Sequence, residues 1–70
     1  MTYTSGDLKT ASLHVTAAEV RIEGQRRLIA RFRRLGYGTT EELELLTDFV
    51  ETRDLMIAHR GAIARQLAGR

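Results

Sequence analysis

The stretch RRLIARFRRLGYGTTEE, from Arg26 to Glu42, decides the fold, because an arginine-rich segment meets a glycine break and then an acidic restart. Gly36 stands where many helices end on a residue in the left-handed conformation, which glycine adopts without steric cost. Tyr37 is then placed to fold back on Phe32 in a Schellman-type contact. The stretch therefore predicts that a first helix ends just before the glycine and that the chain turns over residues 36–39.

A second helix is predicted directly after this turn. Thr39 and Glu42 have the spacing of a capping box, so the second helix is expected to begin at Thr40 and to continue to about residue 68. No proline interrupts it. Because such a short connection joins neighbouring helices in antiparallel order, the predicted fold class is all-α, an antiparallel two-helix hairpin of the coiled-coil kind.

The start of the first helix is marked by a second capping-box spacing. Thr16 and Glu19 have that spacing, and Val15 and Val20 occupy the two positions of a hydrophobic staple. The first helix is therefore expected over about residues 16–35.

The residues before it divide into two parts. Residues 1–9 are small and polar and are predicted to form a flexible N-terminal tail. The hairpin is expected within residues 10–70, and the pattern leaves open whether residues 10–15 are helical. Seventy residues without cysteine make one small domain that no disulfide can stabilise.

Apolar residues recur at intervals of three and four in both helices, as they do in coiled-coil seams. The first seam comprises Val15, Ala18, Ile22, Gln25, Ile29 and Phe32. The second comprises Leu43, Leu46, Val50, Ile57, Ala64 and Leu67, flanked by Phe49, Met56 and Ile63. Folding the chain about Tyr37 pairs Phe32 with Leu43, Ile29 with Leu46 and Ala18 with Ile57.

The apolar face of the second helix spans roughly 160° of the helical wheel, which is more than one partner helix covers. The hairpin is therefore predicted to dimerise into a four-helix bundle with C2 symmetry. The residues expected to carry this interface are Ile22, Ile29, Phe32, Leu43, Leu46, Phe49, Val50, Met56, Ile57 and Ile63. The function expected from this pattern is that of a small interaction or oligomerisation protein, which contacts a second copy or a partner helix.

The arginine run admits two interpretations. Five arginines lie within residues 26–34, and Arg26, Arg27, Arg33 and Arg34 could contact the phosphates of a nucleic acid. Residues 41–54 carry six acidic residues and one arginine, however, and the hairpin places them beside the arginines. Unlike charges within a Debye length of ~8 Å interact with each other first. Self-complementation within the hairpin is therefore the favoured interpretation, and a nucleic-acid-binding accessory protein is the alternative.

Polar residues also lie on the apolar faces. Gln25 can set the register and the oligomeric state. Arg53 and Arg60 can line the edge of the core with their aliphatic stems while their charged heads reach Glu19, Glu23 or solvent. An anion or partner site at the two arginines is the competing hypothesis.

No catalytic, cofactor-binding or metal site is predicted. His14 and His59 are expected near one another, but no third ligand is spaced to complete a metal site. The N-terminal sequence lacks the features of a signal peptide and no apolar run could span a bilayer, so a cytoplasmic location without membrane contact is expected. Ten arginines against one lysine are typical of a GC-rich bacterial genome.

From about His14 to Leu67 the chain resembles a group of short, uncharacterised proteins from alphaproteobacteria. The resemblance lies in RIEGQRRLIARFRRLGYGTTEELELLTDFVETRDLMIAHR, residues 21–60, and above all in its LIARF, LGYGT and LMIAHR segments. Members of that group often have GHDT where this chain has GYGT at residues 36–39. The resemblance implies the helical hairpin and assigns no functional residue.

Overall fold

The computed structural model describes residues 2–69 as two long helices packed against each other in antiparallel order. Helix α1 runs over Ser5–Arg34 and helix α2 over Thr40–Ala68. The hairpin is a rod of 55 × 15 × 14 Å. The predicted all-α hairpin is confirmed, and α2 has its predicted bounds.

The turn has the geometry that the glycine pattern predicts. Gly36 has a φ of 78°, and it is the only residue with a positive φ in the described chain. The N–H of Gly36 donates to the Arg33 carbonyl oxygen at 3.1 Å, and the N–H of Tyr37 donates to the Phe32 carbonyl oxygen at 2.9 Å. These are the two hydrogen bonds of a Schellman motif. The Tyr37 ring then meets the Phe32 ring edge to face, with centroids 5.6 Å apart.

Helix α1 begins at Ser5, well before the predicted start at Thr16. The capping box that starts it is formed by Thr4 and Asp7. The Asp7 N–H donates to Thr4 Oγ1 at 3.2 Å, and the Thr4 N–H donates to Asp7 Oδ2 at 2.8 Å. Residues 5–9 therefore belong to the helix and not to a flexible tail, and residues 10–15 are helical.

The spacing of Thr16 and Glu19 was therefore not a helix start. In mid-helix, the Thr16 hydroxyl donates back to the Ser12 carbonyl oxygen at 3.2 Å, a bond that threonine commonly makes inside helices. Val15 is buried and Val20 is exposed, so they form no staple. At the start of α2, Thr39 is the N-cap residue as predicted, but its side chain makes no capping hydrogen bond.

The core is a single seam between the helices. Its buried residues are Ala11, Val15, Ile22, Gln25 and Ile29 from α1 and Ile63 from α2. The predicted seam of α1 is thus largely correct and extends one further turn towards the N-terminus. The half-buried residues of α2 that face it include Leu46, Phe49, Arg53, Met56, Arg60 and Leu67.

Helix α2 is rotated relative to the predicted seam. Leu43 and Ile57, which were expected at its centre, are 40% and 38% exposed. The column that was expected to flank the seam, Phe49, Met56 and Ile63, faces α1 instead. The apolar stems of Arg53 and Arg60 permit this orientation, because long cationic side chains can bury their methylenes while keeping the charge near solvent.

The register between the helices also differs from the predicted pairing. Gln25 Nε2 donates to the Glu42 carbonyl oxygen at 2.9 Å, whereas the predicted pairing would have placed Gln25 opposite Val50. The shift amounts to about one to two helical turns. Residues 37–39 are not helical. Non-helical chain can advance by up to about 3.3 Å per residue against 1.5 Å in a helix. This connection therefore carries α2 further back along α1 before it starts.

Candidate interaction surfaces

A groove runs along one side of the hairpin, between the two helices. One cavity along it has a volume of about 390 Å³. The residues that line it are His14, Ala17, Ala18 and Arg21 from α1 and Asp48, Phe49, Thr52 and Met56 from α2. Two smaller cavities of about 210 and 270 Å³ continue it towards the N-terminal end of α1, and all three share His14. We call this surface the groove.

The floor of the groove is apolar and its rims are charged. Phe49 and Met56 are half-buried, so part of each side chain remains open to the groove. The Arg21 guanidinium lies 5.5 Å from the centroid of the Phe49 ring, within the range of a cation–π contact. Asp48 lies on the opposite wall, on α2. A small apolar floor between oppositely charged rims is suited to holding another helix.

The two histidines line the end of the groove nearest the N-terminus of α1. His14 and His59 line the same cavities, as the sequence predicts, and the His59 ring meets the Tyr3 ring edge to face at 5.8 Å. The Tyr3 N–H donates to Gln66 Oε1 at 3.1 Å, which ties the N-terminal segment to α2. Within residues 2–69 no three histidine, cysteine or acidic side chains come together as metal ligands would.

A second apolar surface lies on the other flank of α2. It consists of Leu43, Val50 and Ile57, which recur at heptad intervals. At 100° per residue these positions lie roughly 90° around α2 from the seam, on the side away from Thr52. We call this surface the Leu43 stripe. All three residues belong to α2, whereas the groove has a wall from each helix.

The ten predicted interface residues are thus divided among three environments. Ile22, Ile29 and Ile63 are buried between the helices and are unavailable to a second chain while the hairpin is closed. Phe32 and Leu46 are half-buried along the same seam. Phe49 and Met56 open into the groove, and the remaining three form the Leu43 stripe.

Some surface residues escaped the sequence-based prediction. Arg21, Asp48 and Ala17 line the groove, but nothing in their spacing distinguishes them before the rotation of α2 is known. Leu55, at the rim of the groove, is 72% exposed.

The arginine run does not pair with α2. In the described part of the chain, the ion pairs are Glu23 with Arg27 at 3.4 Å and Arg53 with Asp54 at 3.0 Å, each within one helix. The predicted self-complementation is therefore wrong at the level of contacts. The register contributes to this result, because it sets Arg33 and Arg34 level with the turn and not with the acidic segment.

Two arginines, Arg53 and Arg60, lie on the face of α2 that packs against α1. The Arg53 side chain is 26% exposed, and its Nε donates to Asp54 Oδ1 on the same helix, not to Glu19 or Glu23. Arg60 is half-buried beside the seam. Both residues are half-buried, which agrees with the interpretation that their aliphatic stems line the core edge.

Comparison of the chain with family models, with curated proteins and with solved structures found no match. The resemblance to the alphaproteobacterial group therefore stays a prediction. Across residues 2–69, neither helix combines the length and the hydrophobicity that crossing a bilayer requires.

Proposed function

We propose that this chain is a small, non-catalytic interaction protein of the cytoplasm, and that it acts as a dimer in which two hairpins form a four-helix bundle. The observation that carries the proposal is that the hairpin exposes more solvent-accessible surface than a globular monomer of the same mass. The hairpin exposes 5262 Å². A globular monomer of this mass exposes about 4,400 Å², so the excess is roughly 850 Å².

The shape and the composition of the surface agree with this excess. The radius of gyration is 16.1 Å, whereas a compact chain of this length has one of about 11 Å. Large apolar residues are exposed on both helices, among them Leu13, Leu28, Leu45 and Leu55. Two helices that bury a single seam give a folding free energy near zero by the usual area estimate. A partner that covers the remaining apolar surface would supply the missing stabilisation.

Association should depend on the groove. We expect Phe49→Asp and Met56→Asp each to convert the dimer to a monomer, because a carboxylate would be desolvated against an apolar surface. The measurement is the molar mass by light scattering after gel filtration, over a tenfold range of concentration. Val20→Asp is the matched control, since Val20 is 69% exposed and lies outside the groove, and it should leave the dimer intact.

Circular dichroism of each variant separates loss of association from loss of folding. A helical monomer for both groove variants supports the proposal. A wild-type protein that remains a helical monomer near 7.9 kDa at every concentration contradicts it. A dimer unchanged by both groove substitutions also contradicts the assignment of these residues.

A second candidate function is a nucleic-acid-binding accessory protein, and one observation favours it. All five arginines of residues 26–34 are exposed, and Arg27 is the only one in an ion pair within the described residues. Four guanidinium groups are thus available for phosphates. Such binding would be sequence-independent and would weaken steeply with salt.

Gel-shift titrations with duplex DNA and with RNA at about 50 and 200 mM salt test this candidate. The double substitution Arg33→Ala with Arg34→Ala should reduce the affinity and the salt dependence together. Arg65→Ala, far along α2, is the matched control and should change the affinity little. The absence of any complex at the lower salt concentration removes this candidate.

A further inference from the structure

The two helices carry opposite net charge. Helix α1 has seven basic and three acidic residues, which gives +4, and α2 has three basic and six acidic residues, which gives −3. Within the described hairpin, no ion pair joins the helices, so this difference is not neutralised by contacts between them. The unlike charges remain on the outer surfaces of the two helices, where a neighbouring molecule can meet them.

The same contrast appears locally at the groove. Arg21 lies on the α1 wall and Asp48 on the α2 wall of the same cavity, so the two walls carry opposite charge at the same height along the rod. Both residues are exposed. A second hairpin packed on the groove can therefore place its α1 wall against the α2 wall of the first copy, which pairs opposite charges. It can also place α1 against α1, which brings like charges together.

Two C2 arrangements of such a pair are possible. With the two-fold axis along the rod, α1 of one copy packs against α2 of the other, and both turns lie at the same end. With the axis across the rod, α1 packs against α1 and α2 against α2, and the turns lie at opposite ends. The first arrangement brings +4 against −3, whereas the second brings like charges together, which is destabilising at an interface.

We propose that the groove seats a second copy of this chain, with α1 against the partner's α2 and the two turns at the same end. The occupant fits the surface in area, because a standard interface buries about 800 Å² on each partner, close to the excess of the hairpin. The groove is favoured over the Leu43 stripe because both helices line it, so an incoming helix contacts two walls. This inference rests on the proposed self-association and adds its face and its orientation.

Distances between spin labels on the turns test the orientation. The chain has no cysteine, so Gly38→Cys gives one attachment site per copy. A Cβ at Gly38 would meet no other atom within 4 Å, and its φ is not in the left-handed region. Since neighbouring helices lie 8–10 Å apart, we expect a label-to-label distance below about 30 Å in the dimer. Ala68→Cys, near the opposite end of the rod, is the matched control and should also give a short distance.

A mixture of the Gly38→Cys and Ala68→Cys proteins supplies the converse measurement. In the proposed dimer the mixed pair should be separated by nearly the 55 Å length of the rod. A short mixed distance with a long Gly38-to-Gly38 distance would overturn the orientation while leaving self-association intact. The absence of any dipolar signal, with a monomeric mass, would overturn the self-association itself and the inference with it.

Charge reversal tests the face. Arg21→Glu and Asp48→Arg should each weaken dimerisation about tenfold, and the double variant should recover most of the loss, because each reversed charge again meets its opposite on the partner. A dimer that is insensitive to these changes and to Met56→Asp, but is lost in Ile57→Asp, would use the Leu43 stripe and would overturn the groove assignment.

Discussion

Gly36 fixes the point at which the chain reverses. Its φ of 78° lies in the left-handed region, where a Cβ is unfavourable, yet a Cβ placed there would meet no other atom within 4 Å. The requirement for glycine is therefore a matter of backbone conformation alone, without any packing component. Gly38 offers the same open space without the positive φ.

These two glycines make a matched pair of substitutions. Gly36→Ala should lower the free energy of unfolding by about 1–2 kcal/mol, because alanine is strained at this φ. Gly38→Ala should leave it unchanged or raise it by up to about 1 kcal/mol, since alanine restricts the unfolded chain. Urea unfolding followed by circular dichroism, at one fixed protein concentration, measures both. Equal losses in the two variants would mean that the turn does not depend on the conformation of Gly36.

At the scale of the helices, the two starts differ in how they are held. Thr4 caps α1 through a reciprocal pair of hydrogen bonds with Asp7, whereas the Thr39 side chain makes no capping bond at the start of α2. Gln25 instead approaches that end of α2 through the Glu42 carbonyl oxygen. The first turn of α2 is thus supported from the facing helix.

Substitution of Thr4 and Thr39 tests whether the side-chain cap stabilises the start of α1 but not the start of α2. Thr4→Ala should cost about 1 kcal/mol of stability, the usual loss when a capping side chain is removed. In a domain of this size that loss lowers the melting temperature by about 4–8 °C. Thr39→Ala should lower it much less. Thermal unfolding at equal concentrations makes the comparison, and an equal fall for both variants would contradict the difference in capping.

The elements that sequence predicts well are those whose signal is local. The Gly36 turn and the bounds of α2 follow from residues adjacent in the chain. The start of α1 was missed because Thr4 and Asp7 lie in a segment of small polar residues that resembles a tail, while Thr16 and Glu19 imitate a cap. Both pairs are three residues apart, so their spacing alone does not show which of them caps the helix.

The rotation of α2 could not be read from its pattern. One apolar column contains Leu43, Val50 and Ile57, and another contains Phe49, Met56 and Ile63, and the two have similar hydrophobicity. The sequence placed the second column only on the flank of the seam, and both columns lie beside Arg53 and Arg60. The structure turns the second column inwards, because the stems of those arginines can line the core. The groove depends on this rotation, so its residues could not be assigned from sequence.

The whole molecule is a thin rod, and its dimer should remain one. Packing along the groove adds width but no length, so the largest dimension of the dimer should stay close to the 55 Å of a single hairpin. Small-angle X-ray scattering across a concentration series measures this dimension together with the mass. A particle of doubled mass and about doubled length would mean end-to-end association, which is incompatible with lateral packing into a bundle.

The rod also separates its two tyrosines. The chain has no tryptophan, and Tyr3 and Tyr37 lie at opposite ends of the hairpin. The contact of the Tyr37 ring with Phe32 spans five residues, whereas the contact of the Tyr3 ring with His59 spans 56 and closes only when the entire hairpin is formed. Because closing a short loop costs less entropy than closing a long one, we expect the Tyr37 contact to form before the Tyr3 contact during folding. The intrinsic fluorescence of this protein therefore comes from two tyrosines with different environments. Emission from Tyr37 reports formation of the turn, and emission from Tyr3 reports closure of the opposite end of the hairpin.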